Sequence, residues 1–117
     1  MLQIRAEQME ALSAYMFSEF EKRMVVHLRA TFPDRTQDID EQKLSKVIQQ
    51  GIEKARSYNV IYEDDIRRFI EYLVIYGPRM DTKASTRWMG EILRREDING
   101  TVKMDLVDEA ELAAIRT

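Results

Sequence analysis

The only histidine in the sequence, His27, is the first residue to consider as a metal ligand or a general base. The sequence has no cysteine, so a zinc centre built from histidine and thiolate ligands is excluded. A metal ion would therefore need carboxylates from separate helices. His27 lies within a mixed apolar face of a predicted helix, where a packed or boundary imidazole is a commoner role than ligation or base catalysis. We assign no catalytic or metal-binding role to it.

Two acidic clusters could also carry chemistry, and both stand where a predicted helix begins. One contains Asp38, Asp40 and Glu41, and the other covers residues 63–65. Neither follows the calcium-loop pattern of alternating oxygen ligands with a central glycine and a terminal glutamate. Carboxylates at a helix start cap free backbone N–H groups and favour the helix dipole. We interpret both clusters as helix-start signals.

Motifs of nucleotide-binding proteins and hydrolases are absent from the sequence. It contains no phosphate-binding loop, no dinucleotide-binding glycine fingerprint and no serine in a nucleophile-elbow setting. An active site would have to depend on scattered Asp, Glu, Lys or Tyr side chains. The prediction is a non-enzymatic protein that uses no cofactor.

A locally basic segment runs from Arg67 to Arg95, and it allows two interpretations. In a nucleic-acid-binding regulator, the arginines of this segment would contact phosphates. Alternatively, they solvate the outer faces of amphipathic helices and pair with acids such as Glu71, Glu91 and Glu96. A net charge of -3 favours the second interpretation. Nucleic-acid binding stays as an alternative function.

The end of the third predicted helix and the segment after it combine a rigid turn, a polar stretch and an aromatic residue. Tryptophan, tyrosine and arginine dominate binding hot spots in protein interfaces. The predicted partner-binding residues are therefore Tyr76, Arg79, Arg87, Trp88, Arg94 and Arg95. The alternative for Trp88 is a core residue that covers one end of the fold.

Five helices are predicted to position these side chains. The sequence has only 4 glycines and 2 prolines, and apolar residues recur at steps of three or four between them. The predicted helices cover about residues 5–31, 40–58, 63–76, 85–95 and 101–115. The expected fold is all-α, a compact bundle of about five helices that forms a single domain over residues 1–117.

Particular residues specify the boundaries and packing of these helices. Asp40 is the expected N-cap of the second helix, and Asn59 suits a left-handed conformation after its end. Gly51 lies within the apolar face of that helix, which predicts the close approach of another helix. Gly77 and Pro78 are expected to stop the third helix.

Length and composition limit the class of protein. A chain of 117 residues has the usual size of one domain, and 44% hydrophobic with 33% charged residues favours unaided folding. Glu7 and Glu10 interrupt what would be a signal-peptide core, and about 18 consecutive apolar residues occur nowhere. We therefore expect no membrane insertion and a cytoplasmic location, unless a secretion apparatus carries the protein.

Several short motifs resemble those of small bacterial helical proteins associated with type VI secretion effectors. The matching residues are Ile4-Arg5-Ala6-Glu7-Gln8-Met9, His27-Leu28-Arg29 with Phe32-Pro33, Gly51-Ile52 with Ala55 and Tyr58, and Tyr76-Gly77-Pro78 with Asp81 and Trp88. The resemblance implies a non-enzymatic accessory protein that binds a toxin or its delivery component. It implies no catalytic residues.

The predicted function is therefore a protein-binding module, an adaptor or chaperone for a secreted bacterial effector. One alternative is an immunity protein that neutralises a cognate toxin, and another is the nucleic-acid-binding regulator described above. A homo-oligomer is a further alternative, because the apolar face of the first helix is wider than one seam requires.

Overall fold

Helices make up the regular structure of the described part of the chain. The computed structural model describes residues 14–116, with side chains described for residues 16–115. The elements are α1 (Ala14–Thr31), α2 (Pro33–Thr36), α3 (Glu41–Ser57), α4 (Glu63–Tyr76), a 3-10 turn (Ala84–Thr86), α5 (Arg87–Leu93) and α6 (Gly100–Arg116). No strand occurs within the described residues. The prediction of an all-α bundle is confirmed.

The boundaries of α3 follow the local signals in the sequence. The Asp40 side chain accepts a hydrogen bond from the Lys43 backbone N–H at 2.8 Å, as expected of an N-cap. After the helix, Asn59 has a φ of 64°, in the left-handed region that asparagine tolerates better than most residues. Both predictions for this helix are confirmed.

The core lies where α1, α3 and α4 pack together, and α6 covers the other side of α4 and contacts α5. A Cβ built on Gly51 would lie 2.9 Å from Ile70 Cγ1 and 3.0 Å from Leu73 Cδ1. This confirms that α4 approaches α3 closely at the glycine. The largest fully buried side chains are Leu28, Leu44, Ile48, Ile52, Val60, Ile66, Phe69, Ile70, Met80, Met89, Leu93 and Met104.

The stop of α4 at Gly77 is also confirmed. Gly77 has a φ of 96° and donates its N–H to the Leu73 carbonyl at 2.8 Å. A positive φ is unstrained for glycine, so the chain leaves the helix axis at this residue. Turns over residues 78–83 follow, and they lead into the 3-10 turn.

The structure differs from the predictions at two elements. Residues 33–36, which lie between the first two predicted helices, form the short helix α2, because Pro33 at its first position has a φ suited to helix and needs no N–H partner. The fourth helix was predicted to span residues 85–95, but α5 is limited to Arg87–Leu93. The Thr86 hydroxyl donates to the Met80 carbonyl at 2.6 Å, which holds residues 84–86 against the preceding turn instead of in the helix.

The terminal helices agree with the predictions where they can be compared. α1 ends at Thr31 as expected, whereas the predicted positions 5–13, including Met9 and Leu12, lie outside the described residues. α6 covers residues 100–116, against 101–115 predicted. Within the described part of the chain, no helix is both long and apolar enough to cross a bilayer.

Candidate protein-binding groove

A groove of about 650 Å³ lies between α3 and α4 on the described surface. We call it the α3–α4 groove. Its apolar lining comes from Leu44, Val47 and Gly51 on α3 and from Leu73 and Val74 on α4. The volume lies in the range of sites that bind small molecules or anchoring side chains of a partner.

Helical spacing explains why α3 presents these residues together. Positions 44, 47, 51 and 54 are separated by three or four residues and so share one face of the helix. Gly51 has no side chain, which deepens the groove and lets the tips of Ile70 and Leu73 reach α3. Val47 is half-buried and lies outside the core cluster, so it can contribute to the groove without supporting the fold.

One end of the groove is formed by the segment that connects α1 to α3. Arg35, Thr36 and Ile39 line it there. The Arg29 guanidinium donates hydrogen bonds to the Thr36 carbonyl at 2.8 Å and to the Ile39 carbonyl at 2.7 Å. These charge-assisted bonds hold the connecting segment against α1. This end of the groove is therefore preformed.

The other end is closed by the turn after α4. Lys54 Nζ donates to the Pro78 carbonyl at 2.8 Å and to Asp81 Oδ1 at 2.9 Å. The Tyr58 hydroxyl donates to Asp81 Oδ2 at 2.5 Å. Asp81 is only 3% exposed, so its carboxylate is a buried acceptor shared by two residues of the α3 end. The turn is thereby fixed to α3.

This buried cluster changes the acidity of its members. Burial alone raises the pKa of Asp81, but the hydrogen bonds from Tyr58 and Lys54 outweigh burial and hold that pKa below its ordinary value. Burial and the bond to Asp81 raise the pKa of Tyr58 to about 12. At neutral pH the cluster therefore contains an ionised Asp81 and a neutral Tyr58.

Two exposed charges of opposite sign stand on the rim of the groove. Arg35 belongs to the connecting segment before α3, and Glu53 lies near the end of α3. Glu53 is nine residues beyond Leu44, which corresponds to about 13 Å along the helix axis. Neither side chain forms an ion pair with any residue between positions 16 and 115. Both charges are therefore available to a bound molecule.

The structure brings together the two aromatic residues among the predicted partner-binding residues. Tyr76 and Trp88 meet edge to face with ring centroids 6.0 Å apart, and the Tyr76 hydroxyl donates to Glu111 at 2.8 Å. Trp88 is half-buried against the core cluster, which agrees with the alternative that it covers the fold. Arg79 and Arg87 are exposed, and Arg79 directly follows Pro78 at the groove end.

The remaining two predicted residues form hydrogen bonds within the protein. Arg94 donates to the Asp81 carbonyl at 2.8 Å. Arg95 donates to both carboxylate oxygens of Asp97, at 3.0 and 2.6 Å. None of the six predicted residues lines the α3–α4 groove, which was not predicted. Its signal in the sequence was the apolar face around Gly51, which also describes an ordinary core helix.

His27 and the second acidic cluster take part in contacts between helices. His27 Nε2 lies 2.5 Å from Glu71 Oε2, so the imidazole links α1 to α4 at a half-buried position. Asp65 is buried and bonds to Arg68 at 2.7 Å and to the Thr101 hydroxyl at 2.5 Å. Within residues 16–115, no group of three or more histidines or carboxylates is arranged to hold a metal ion.

Two arginines of the basic segment, Arg67 and Arg68, pair with carboxylates of their own helix and, for Arg68, of α6. Arg68 contacts Asp65, Asp105 and Asp108 at 2.7 to 2.9 Å. Arg67 pairs with Glu71 at 3.1 Å. These guanidinium groups serve as contacts between and along helices.

Comparisons of the chain with family models, curated proteins and solved structures found no match.

Proposed function

We propose that this protein is a non-enzymatic accessory module that holds an amphipathic helix of another protein in the α3–α4 groove. The observation that carries the proposal is the groove itself, with an apolar floor of Leu44, Val47 and Leu73 and a polar rim. Apolar grooves between helices bind partner helices through anchors spaced at i, i+3, i+4 and i+7.

The length of the groove supports a helix of moderate size as the occupant. Its lining on α3 extends from Leu44 to Lys54, about 15 Å along the axis. An occupying helix would span about three turns over that distance and place two or three apolar anchors on the floor. Val47 and Val74 would be central contacts.

The two rim charges specify the polarity of the occupant. Arg35 favours an acidic side chain at one end, and Glu53 favours a basic side chain at the other. Helices commonly carry acids in the first turn and bases in the last turn. The expected occupant therefore lies with its N-terminal turn beside Arg35.

The charges of the basic segment favour a protein partner over nucleic acid. Nucleic-acid binding requires cations free to contact phosphates. Arg67 and Arg68 pair with carboxylates, which leaves them less free for such contacts. The polar residues at the groove end are likewise bonded to one another, which favours a binding role over catalysis.

The resemblance to proteins associated with type VI secretion suggests the class of partner. We propose a secreted bacterial effector or its delivery component, with the protein acting as adaptor or chaperone. An immunity protein would use the same type of interface, but it would protect cells from the toxic activity of its partner.

Co-expression with the products of neighbouring genes tests this proposal. One partner should co-purify in a fixed stoichiometry and should contain an amphipathic helix. Repeated recovery of the protein without any such partner would contradict the proposal. Toxicity assays with the recovered partner distinguish the roles, because rescue of growth indicates immunity and its absence indicates an adaptor.

A further inference from the structure

A second pocket, of about 370 Å³, lies where the end of α3 meets the end of α5 and the start of α6. We call it the Lys103 pocket. Its polar lining includes Tyr58, Arg94, Arg95, Glu96 and Lys103. It is separate from the α3–α4 groove, and the inference drawn from it does not depend on the proposed function.

Lys103 is the unusual member of this lining because it is a buried cation. The residue is 5% exposed, and its Nζ donates to the Tyr58 backbone carbonyl at 2.8 Å. It forms no ion pair with any carboxylate among the described residues. An ammonium group has three N–H donors, so this bond leaves two for other acceptors. Burying a charge beside a single neutral partner is energetically unfavourable, and a bound anion would offset that cost.

The neighbouring arginines add positive charge to the same pocket. Arg94 bonds to the Asp81 carbonyl through Nη1, and Arg95 bonds to Asp97 through Nε and Nη2. Each guanidinium keeps further N–H groups for a ligand. Glu96 and Asp97 offset part of the charge, so the three cations and two acids leave the pocket with one net positive charge.

We propose that the Lys103 pocket binds a phosphate group, either as free phosphate or as the phosphoryl group of a phosphomonoester. Lys103 supplies the buried ammonium, and Arg94 and Arg95 supply charge-assisted hydrogen bonds at the mouth. The pocket is larger than one phosphate ion needs, which leaves room for the organic part of an ester.

The acidity of Lys103 agrees with this assignment. Burial lowers the pKa of Lys103, and the nearby Glu96 and Asp97 only partly restore it. A bound anion would stabilise the ammonium form and raise that pKa. The charge of Lys103 is therefore incompletely compensated by the protein groups around it.

The test is an NMR titration of the full chain with inorganic phosphate and, separately, with glycerol 3-phosphate. Sodium chloride at matched ionic strength serves as the control. We expect saturable shifts of backbone resonances around Tyr58, Arg95 and Lys103 with phosphate and none with chloride. Tighter binding of the ester assigns the ligand as a phosphomonoester, and equal binding assigns it as the free ion.

Two variants test whether the cations of the pocket are responsible. Lys103→Met should weaken phosphate binding at least about tenfold, as expected from the loss of a charge-assisted bond. Arg95→Gln alters an exposed side chain and should also weaken binding in a protein that still folds. Lys46→Met, at an exposed position of α3, should bind phosphate like the wild type. Unchanged affinity in Arg95→Gln and Lys103→Met, or identical shifts with chloride, would overturn the proposal.

Discussion

Lys54 of α3 and Asp81 of the turn after α4 form an ion pair at 2.9 Å, and Asp81 is almost completely buried. The same ammonium group donates to the Pro78 carbonyl. Lys54 and Pro78 both line the α3–α4 groove. The ion pair between Lys54 and Asp81 therefore connects the core of the bundle to the closed end of the groove. The shape of the proposed binding surface therefore depends on it.

Replacing the buried carboxylate should destabilise the fold. Asp81→Ala leaves the Lys54 ammonium and the Tyr58 hydroxyl without their acceptor. We expect the free energy of unfolding to fall by about 2–3 kcal/mol, below the range for fully buried pairs because water can reach Lys54. Urea denaturation measures this loss. Asp38→Ala, at an exposed position in the connecting segment, should change stability by less than about 0.5 kcal/mol, and an equal loss in both variants would argue against the buried cluster.

Stability should fall in acid through the same residue. The folded pKa of Asp81 is lower than its ordinary value, so ionised Asp81 contributes stability that is complete above the unfolded pKa. That contribution is lost as the pH falls through the folded pKa. The stability difference between the wild type and Asp81→Asn should therefore shrink between about pH 5 and pH 2. Urea midpoints measured across this range test this pH dependence. A stability difference independent of pH would show that the charge of Asp81 does not stabilise the fold.

Gly90 of α5 should be difficult to replace. A Cβ at Gly90 would lie 2.2 Å from the Asp81 carbonyl oxygen, which is backbone and cannot move aside easily. Gly90→Ala should cost about 3 kcal/mol or more in stability. In Gly51→Ala the nearest atoms belong to the side chains of Ile70 and Leu73 instead of the backbone, and the gain in helix propensity offsets part of the strain, so a smaller loss is expected. Thermal denaturation compares the two variants, and a larger loss at Gly51 would contradict this packing account.

The charges on the groove rim should affect partner binding more than folding. Arg35→Glu and Glu53→Lys each reverse an exposed charge that has no ion pair within the described part of the chain. Each variant should weaken binding of the co-purified partner by about threefold to tenfold at low salt, chiefly through slower association. The effect should diminish as salt rises. Surface plasmon resonance separates the two rates, and an unchanged association rate in both variants would remove the rim from the proposed interface.

Much of the fold could be predicted because local residues determine the helix ends. Asp40 caps α3, Asn59 adopts a positive φ after it, and Gly77 ends α4, each as its chemistry requires. The shortened α5 could not be predicted, because the bond from the Thr86 hydroxyl to Met80 depends on the folded turn. Local propensity contains no information about such tertiary contacts.

The candidate site was harder to predict than the fold. Residue type identified Trp88 and the arginines, but the structure engages Arg94 and Arg95 in hydrogen bonds and packs Trp88 against Tyr76. Val47 belongs to the same apolar periodicity as the core residues of α3, and only the arrangement of α4 leaves it at the floor of a groove. Periodicity identifies the apolar face of a helix without showing which part of that face remains open.

The affinity of the co-purified partner for a groove variant tests the central claim most directly. Val47→Arg places a charge on the apolar floor without removing a residue of the core cluster. Gln42→Arg adds the same charge at an exposed position of α3 and is the matched control. Isothermal titration calorimetry should show binding weakened by about thirtyfold or more for Val47→Arg, equivalent to ~2 kcal/mol, and unchanged for Gln42→Arg. A Val47→Arg protein that keeps its thermal stability and binds the partner as tightly as the wild type would show that the groove is not the binding site.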